Sequence, residues 1–471
     1  MSLGYAPPGG IQIPTSNFDS SIISMFPRVS KHYLVESSIQ DRFERDFLST
    51  NSSLFNGQIS DNFIEFNVPA TDGEFLDFST IQAEVKLRIR NADGTAIPAA
   101  ANISLADGFM HRLFQSHSIF LNGVQTEGSN HFGLLNVIKS YTNMSPGAIP
   151  SYGANMFYKD IKTDIKDVID VAYFTAARET VQTTTSVNAG ANAGATGIYV
   201  NPDENSIVSA THDIIHCMGP LYFDMSSCDS YLLDNVSVRI RLELASPSVV
   251  LMSSDDELYK YEIELCKLWC RKLEPIPSSL IALNQTMLSS NAGVEYLFDR
   301  PIVKTIVFPA AHSSVSIDSP FNGIVPHKVM VFVIDQTAVN GDYTKNPNYL
   351  QHASITNVRL ELNGNAITNM KCEFPNSAAQ AFNSSLIALG MGNNRHLLTK
   401  KNFSHGRTLF IFDTRPCDSE DTLNLEKSAN MRISLQTSTP TTSNKVVFIV
   451  GYTLGLLHIN SDRRVVPNYL Q

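Results

Sequence analysis

Short segments in which hydrophobic and polar residues alternate recur along most of the chain. In Ala83–Arg90 the apolar side chains of Val85, Leu87 and Ile89 alternate with polar or charged ones, which is the pattern of an antiparallel strand with one face in the core. Val329–Ile334 is apolar at every position, so we expect a strand that is covered on both faces. The other predicted strands begin near Phe63 or lie within Phe109–Asn122, Leu221–Phe223, Ser237–Leu244, Tyr259–Lys272, Val294–Phe308, Val358–Leu362, Leu409–Phe412, Met431–Leu435 and Lys445–Ile459.

A few segments carry apolar residues at helical spacing instead. Leu134, Val137, Ile138 and Tyr141 stand at i, i+3, i+4 and i+7, which gives a helix one apolar stripe. The densely charged stretch within residues 31–56 is a further candidate for a short helix. The predicted longer helices are His131–Tyr141, Ser278–Leu288 and Ser377–Leu389.

One pattern occurs twice. A motif of the form Phe-Asp-x-x-x-Cys-Asp-Ser begins at Phe223 and again at Phe412, 189 residues later. Each copy leads through a polar loop into an alternating strand, whose arginines Arg239 and Arg432 lie 193 residues apart. Internal similarity of this kind indicates a repeated structural unit.

The repetition extends upstream in the same order. Leu121–Gly123 and Leu362–Gly364 both read Leu-Asn-Gly at the end of a predicted strand, 241 residues apart. Val68–Ala70 and Phe308–Ala310 share a Pro-Ala pair with an offset of 240 residues. Two long copies predict two related domains in tandem rather than a solenoid.

The offset between the copies falls from 241 to 189 residues, so the first copy carries an insertion of about 52 residues. We place it at about 144–210, where the low-complexity run Thr183–Gly197 is typical of a long surface loop. The predicted organisation is an N-terminal arm with a short helix (1–56), a first sandwich (57–275), a connector helix (276–292) and a second sandwich (293–471).

Each copy offers roughly eight short strands, one or two short helices and long polar loops. Because strands and helices do not alternate, the pattern does not favour a parallel sheet. We therefore predict an all-β protein of two tandem eight-stranded antiparallel jelly-roll sandwiches with short helices in the loops.

Composition and charge narrow the range of possible functions. The chain has 471 residues, 43% of them hydrophobic and 17% charged, with a net charge of −10. No run of Lys and Arg is present to contact phosphates, so we expect no specific nucleic-acid site. No stretch has the roughly 20 apolar residues of a membrane span. The N-terminal residues lack the pattern of a signal peptide, and we expect the chain to fold inside a cell, in the nucleus or the cytoplasm.

The residues that could act in catalysis or bind a metal do not form a convincing catalytic or metal site. The six cysteines form no CxxC pair, and we interpret them as reduced and mostly buried. The segment His212–His216 resembles a zinc-binding HExxH motif with Asp in place of Glu, but it precedes a Gly-Pro break and has no third ligand. His111 and His117 form no His-x-His cluster. We expect no catalytic residue, no metal and no cofactor, and hence no enzyme.

The repeated aspartates have a structural interpretation. They belong to the two copies of the same motif, where Asp side chains commonly bond their own backbone at turns. This interpretation covers Asp224, Asp229, Asp413 and Asp418. The repeated Cys228 and Cys417 are predicted to be small buried residues.

One segment is similar to a known family. Phe321–His352 contains Gly-x-x-Pro before the apolar strand (Gly323–Pro326) and a Gly-Asp-Tyr-x-x-Asn-Pro run after it (Gly341–Pro347). These residues resemble the second-domain signature of double jelly-roll major capsid proteins of Polinton/Maverick elements and adinto-type viruses. Four other short segments also agree with this family: Ile64–Pro69, Leu121–Gly123, Phe157–Asp160 and Leu268–Lys272.

The resemblance implies a structural protein of the virion. In that family three chains form a pseudo-hexagonal homotrimer, and such trimers tile an icosahedral shell around double-stranded DNA. The partners implied are other copies of the chain, penton or vertex proteins and minor capsid proteins. Two alternatives stay open: a glycan- or receptor-binding jelly-roll protein, and a cupin-like metalloenzyme.

Overall fold

Each half of the chain folds into two facing antiparallel sheets. The computed structural model describes residues 39–50, 62–97, 103–106, 108–143, 214–228, 230–253, 258–290, 293–374, 377–390, 396, 398–415 and 427–468. Every statement below concerns these residues. The predicted insertion at 144–210, with Thr183–Gly197, lies outside them.

Ten strands form in the described part of the first half of the chain. They are β1 (Ile39–Leu48), β2 (Phe63–Val68), β3 (Phe75–Asn91), β4 (Ile103–Leu105), β5 (Phe114–Leu121), β6 (Val124–Ser129), β7 (Ile214–Pro220), β8 (Val238–Leu244), β9 (Leu251–Ser253) and β10 (Tyr259–Pro275). One sheet has the order β1-β10-β3-β7 and the other β2-β8-β5-β6, while β4 and β9 pair separately.

The second half repeats this arrangement. Its strands are β11 (Val294–Phe308), β12 (Ser314–Asp318), β13 (Ile324–Val325), β14 (Lys328–Asp335), β15 (Ile355–Leu362), β16 (Asn365–Lys371), β17 (Phe410–Asp413), β18 (Lys427–Ser428), β19 (Met431–Thr437), β20 (Lys445–Ile459) and β21 (Val465–Asn468). The two sheets have the orders β11-β20-β14-β17 and β12-β19-β15-β16; β21 extends the first at β20, and β13 pairs with β18.

The two halves have the same topology. If the eight main strands of each half are counted in chain order, one sheet reads first-eighth-third-sixth and the other second-seventh-fourth-fifth, in both halves. All the pairings are antiparallel. This order is that of a jelly roll, so the predicted all-β fold of two tandem eight-stranded sandwiches is confirmed.

Short helices occupy the connections, as expected. They are α1 (Phe109–Arg112), α2 (Phe132–Asn143), α3 (Pro247–Val250), α4 (Pro277–Ser290), α5 (Gln336–Asn340), α6 (Ala379–Leu389) and α7 (Lys400–Ser404). The three predicted helices correspond to α2, α4 and α6. Helices α2 and α6 follow the fifth main strand of their own sandwich, so the two helices are equivalent in the repeat. Helix α4 joins the two sandwiches.

The hydrophobic patterns have the predicted consequences for burial. On β3, Val85, Leu87 and Ile89 are fully buried while the residues between them are partly exposed. On β14 both faces are buried: Val331 points into the second sandwich, and Phe332 packs into a separate cluster on the outer face of the same sheet. Each side chain of this size contributes roughly 1.5–3 kcal/mol when fully buried.

The first strand corrects the predicted start of the first sandwich. Residues 1–56 were expected to form an arm with a short helix, but Ile39–Leu48 is β1, the edge strand next to β10. Ile39, Phe43 and Phe47 are spaced by four, which places them on one face of a helix or of a strand alike. Pairing with β10 decides the outcome, and charged residues on the outer face form ion pairs such as Lys267–Asp46 at 3.1 Å.

The Leu-Asn-Gly repeats occupy equivalent turns. Asn122 joins β5 to β6 and Asn363 joins β15 to β16, with φ of 45° and 51°. The side chain of Asn122 accepts a hydrogen bond from the backbone N–H of Ser237, and that of Asn363 from Asn430, in each case just before the seventh main strand. The similarity therefore reflects one turn geometry used twice.

Two other sequence expectations were wrong. The two Pro-Ala pairs do not occupy equivalent positions in the repeat, because Val68 ends the second main strand of its sandwich whereas Phe308 ends the first. A shared pair of residues after a strand does not identify which strand it follows. Leu221–Phe223 is not a strand either, since β7 ends at Pro220 and a 3₁₀ turn, Asp224–Ser227, follows.

Substituting alanine for Gly123 or Gly364 tests the equivalence of the two turns. Both glycines have φ of 82°, and a Cβ at either position would meet nothing within 4 Å. We expect either variant to lose about 1 kcal/mol through backbone strain alone, which corresponds to a melting temperature roughly 2–4 °C lower. Thermal unfolding measures this. Ala366→Ser, in the adjacent exposed strand, should change little; an unchanged melting temperature in both glycine variants would contradict the assigned turns.

Candidate functional site: the contact between the two sandwiches

Helix α2 belongs to the first sandwich but packs on the second. The apolar stripe predicted for this helix includes Leu134, Val137 and Ile138, which are at most 3% exposed. These residues share one hydrophobic cluster with the outward-facing side chains of β14 and β20, among them Phe332 and Phe448. The outer face of the second sandwich's sheet is therefore covered by an element of the first.

Aromatic contacts reinforce this packing. The guanidinium of Arg407 lies 4.6 Å from the ring centroid of Tyr141 at the end of α2, a cation–π contact between the halves. His131, just before α2, makes an edge contact with Phe448 at 5.9 Å. Both contacts join the segment around α2 to the second sandwich.

The core of the first sandwich also receives residues from the second half. Tyr296, Phe298, Leu457 and Ile459 are buried in the same cluster as β3 and β8. The hydroxyl of Tyr296 accepts a hydrogen bond from the backbone N–H of Leu233 at 3.1 Å. Each sandwich therefore buries apolar residues that belong to the other.

An ion pair connects the two sandwiches at one edge of their contact. Arg463, between β20 and β21, forms a short ion pair with Asp234 of the first sandwich, whose side chain is only 2% exposed. The same guanidinium donates to the backbone carbonyl of Asp234 at 3.0 Å and to the side chain of Asn284 on α4 at 3.3 Å. One arginine thus ties both sandwiches to the connector helix.

The segment that carries the family resemblance lies at this contact too. The hydroxyl of Tyr343 donates to the carbonyl of Tyr259 at 2.9 Å, and the carbonyl of Tyr343 accepts from the N–H of Ser253 at 2.8 Å. Gly341 has φ of 94°, and a Cβ there would collide with the hydroxyl of Ser248. The Gly-Asp-Tyr run is therefore shaped by close approach to the first sandwich.

A buried polar cluster lies beside α2. The carboxylate of Glu127 contacts His117 Nε2 at 2.8 Å and accepts from the backbone N–H of Asp224 at 2.6 Å. Burial, together with the nearby charge of Glu127, raises the pKa of Asp224 well above its usual range. Lys139 on α2 donates to the carbonyls of Tyr222 and Phe223, both at 3.3 Å. These groups hold the loop after β7 against the helix.

The histidines singled out by sequence have structural settings. Burial lowers the pKa of His111 to about 3, so this side chain is neutral at ordinary pH, and it contacts Ser140 Oγ at 3.1 Å. His117 bonds Glu127. His216 lies on β7 and bonds Glu84 at 2.9 Å, while His212 is outside the described residues.

The repeated aspartates differ from each other. Asp413 accepts from the N–H of Arg415 at 2.9 Å, which is the expected turn role. Asp224 makes no such turn bond among the described residues; it faces the contact between the sandwiches. Asp229 and Asp418 lie outside the described residues.

The described cysteines are free thiols: Cys217, Cys228, Cys266, Cys270 and Cys372. Four are buried, and Cys228 is partly buried against the first core, while Cys417 lies outside the described residues. Burial raises the pKa of Cys270 and of Cys372 to about 12, so both stay protonated and unreactive.

The described parts of the chain contain neither a candidate metal-binding cluster nor a helix that could span a membrane. Groups of three or more His, Cys, Asp or Glu that could hold a metal ion are absent there. Among the helices in those same parts, none combines the length and apolar character of a membrane span.

Comparison with solved structures places the fold. A chain of the Sputnik virophage, solved by cryo-EM, is similar over 98% of this chain and 94% of its own, with a TM-score of 0.57 and 13% identity. The mavirus major capsid protein is similar over 98% and 97%, with a TM-score of 0.50 and 12% identity. The Faustovirus major capsid protein is similar over 92% of both chains, with a TM-score of 0.51 and 8% identity.

The chain has a double jelly-roll fold. The similarity to these virus proteins extends over both jelly rolls and the connector between them. No family model matches the sequence, and no curated protein matches it.

Sequence patterns revealed some residues of this contact but none of their partners. The stripe on α2 was visible as helical spacing, yet nothing in the spacing said that it would cover the other sandwich. Asp234 and Arg463 are 229 residues apart, and no local motif marks either one. Tyr343 was noticed only through the resemblance.

Truncating Ile138 on α2 tests whether this helix holds the sandwiches together. Ile138 is fully buried in the contact, so Ile138→Ala should cost about 2–5 kcal/mol. We expect faster hydrogen exchange along α2 and β14, with β3 and β8 much less affected. Leu288→Ala is the control, because Leu288 is 72% exposed. Uniform loss of protection across both sandwiches would contradict a local role.

Removing the charge of Arg463 tests the edge ion pair. Arg463→Met leaves the carboxylate of Asp234 buried and uncompensated, which should cost about 3 kcal/mol or more. The matched control is Arg432→Met, whose partner Asp318 is 68% exposed; its cost should stay below about 1 kcal/mol. Denaturant unfolding compares the two. Equal effects would show that the Asp234 pair has no special importance.

Proposed function

We propose that this chain is a viral major capsid protein, and that three copies form a pseudo-hexagonal homotrimer. Such trimers would tile an icosahedral shell around a double-stranded DNA genome. The observation that carries the proposal is the repeated strand order of the two jelly rolls within one chain. The similarity in fold to the mavirus and Faustovirus major capsid proteins, over more than nine tenths of each chain, supports it.

The geometry of the chain suits this role. Two jelly rolls of equal topology, joined side by side, act as two similar wedges. Three chains around a threefold axis then supply six wedges, and an object with six similar sides packs into hexagonal arrays. Helix α2, the shared core and the Arg463–Asp234 pair fix the angle between the wedges, which a regular shell requires.

The finer assignment is to the Polinton/Maverick and adinto-type capsid proteins. Its support is Gly323–Pro326 and Gly341–Pro347, which resemble that family's second-domain signature. The partners proposed are neighbouring copies, penton or vertex proteins and minor capsid proteins, and the location is the virion capsid. The role proposed is structural rather than enzymatic, which the similarity in fold to viral major capsid proteins supports.

The mass of the purified protein in solution tests this proposal. Size-exclusion chromatography with light scattering should give a species near three times the 51.9 kDa of one chain. The expected mass should persist on dilution, because obligate interfaces of this kind are large and rather apolar. A stable monomer at every concentration would contradict the proposal and would favour a glycan- or receptor-binding module.

A further inference from the structure

A cavity of about 370 Å³ lies between the two jelly rolls. Its size is within the range of small-molecule sites in proteins. Both jelly rolls contribute polar and apolar groups to its wall. The lining residues that matter here are Lys139 and Tyr222 of the first jelly roll and Asp299, Lys328 and Tyr452 of the second.

Lys328 lines this cavity. Its ammonium makes no hydrogen bond or ion pair with any described residue. The nearby carboxylates are engaged elsewhere: Asp299 pairs with His327 at 3.2 Å, and Asp413 is held by Arg415 at 2.6 Å. Burial lowers the pKa of Lys328 from its usual range. A charged group partly removed from water normally has a counter-ion in contact with it, and none of the described carboxylates contacts this ammonium.

Lys139 reaches the same cavity from the first jelly roll. Its ammonium bonds the carbonyls of Tyr222 and Phe223, which leaves one of its three N–H groups. No carboxylate oxygen of the described residues lies within 4 Å of it. The carboxyl of Asp224 is close by, but burial and the charge of Glu127 raise its pKa, which weakens Asp224 as a counter-ion for Lys139.

The carboxyl groups around the cavity offset the nearby cations only in part, because burial and the charge of Glu127 raise the pKa of Asp224. The cations are Lys139, Arg300, Lys328 and Arg415, and the carboxylates are Glu127, Asp299 and Asp413. Asp299 also lines the wall, where its carboxylate contacts His327 Nε2 at 3.2 Å. An added anion with a single negative charge would offset this excess.

We propose that this cavity binds a small oxyanion, held between Lys139 of the first jelly roll and Lys328 of the second. The shared chemistry is that of phosphate and of small carboxylates, which lysine binds as a compact point charge. Because one lysine comes from each jelly roll, the bound anion joins the two. Binding then stabilises the contact between the sandwiches by mass action. The inference does not rest on the proposed capsid function.

Inorganic phosphate and acetate are the probes, added to the full chain at pH 7 and at constant ionic strength with chloride as the reference. We expect phosphate to raise the melting temperature and to give saturable heat in isothermal titration. Lys328→Met should weaken phosphate binding roughly tenfold or more, as the loss of a charged hydrogen bond implies. A response to acetate as well assigns the site to oxyanions in general; a response to phosphate alone assigns it to phosphate.

The controls separate this site from general effects of salt. Lys371→Met removes an exposed lysine on β16 and should bind phosphate as the unaltered chain does. Lys328→Arg keeps the charge and should retain most of the binding, and Lys139→Met gives a second test if Lys328→Met does not fold. The proposal is overturned if the unaltered chain shows no saturable phosphate binding, or if Lys371→Met loses as much affinity as the cavity variants.

Discussion

The packing of α2 on the outer face of the β14–β20 sheet is the interaction on which the rest of the structure depends. A jelly roll buries the inner faces of its two sheets, and its outer faces normally meet water. Here the outer face of the second sandwich carries Met330, Phe332 and Phe448, which would be costly to expose. A helix of the first sandwich covers them. The chain therefore cannot separate its two halves without exposing this surface.

The two copies have diverged at the equivalent face. The outer face of β3 and β10 in the first sandwich carries ion pairs such as Arg88–Glu264 at 2.6 Å and Lys86–Glu264 at 3.6 Å. The corresponding face in the second sandwich is apolar and covered. Exposed ion pairs contribute little to stability, so the charged face is suited to water or to polar contacts. One topology thus supports an apolar face buried between the halves in one copy and a charged face in the other.

Patterns within single elements predicted much of the fold. Val294–Phe308 and Lys445–Ile459 match β11 and β20 from end to end, because long alternating or apolar strands carry a strong local signal. The two Asn-Gly turns could also be predicted from the sequence, because few residue types adopt the left-handed backbone conformation that these turns require. The failures were of two kinds. In β1 the apolar residues are four positions apart, a spacing that fits a helix and a strand equally. The similarity of the two Pro-Ala pairs was misleading because no turn geometry requires these residues at that position. The partners of α2, Arg463 and Tyr343 depend on how the two sandwiches are placed, which no local pattern encodes.

The central claim is that one chain supplies two equivalent wedges held at a fixed angle. An electron cryomicroscopy image of the purified oligomer viewed along its symmetry axis tests this most directly. The account predicts six wedge-shaped densities related by a threefold axis, with α2 bridging the two wedges within each chain. An oligomer without six such densities, or wedges that vary in their relative angle from particle to particle, would contradict it.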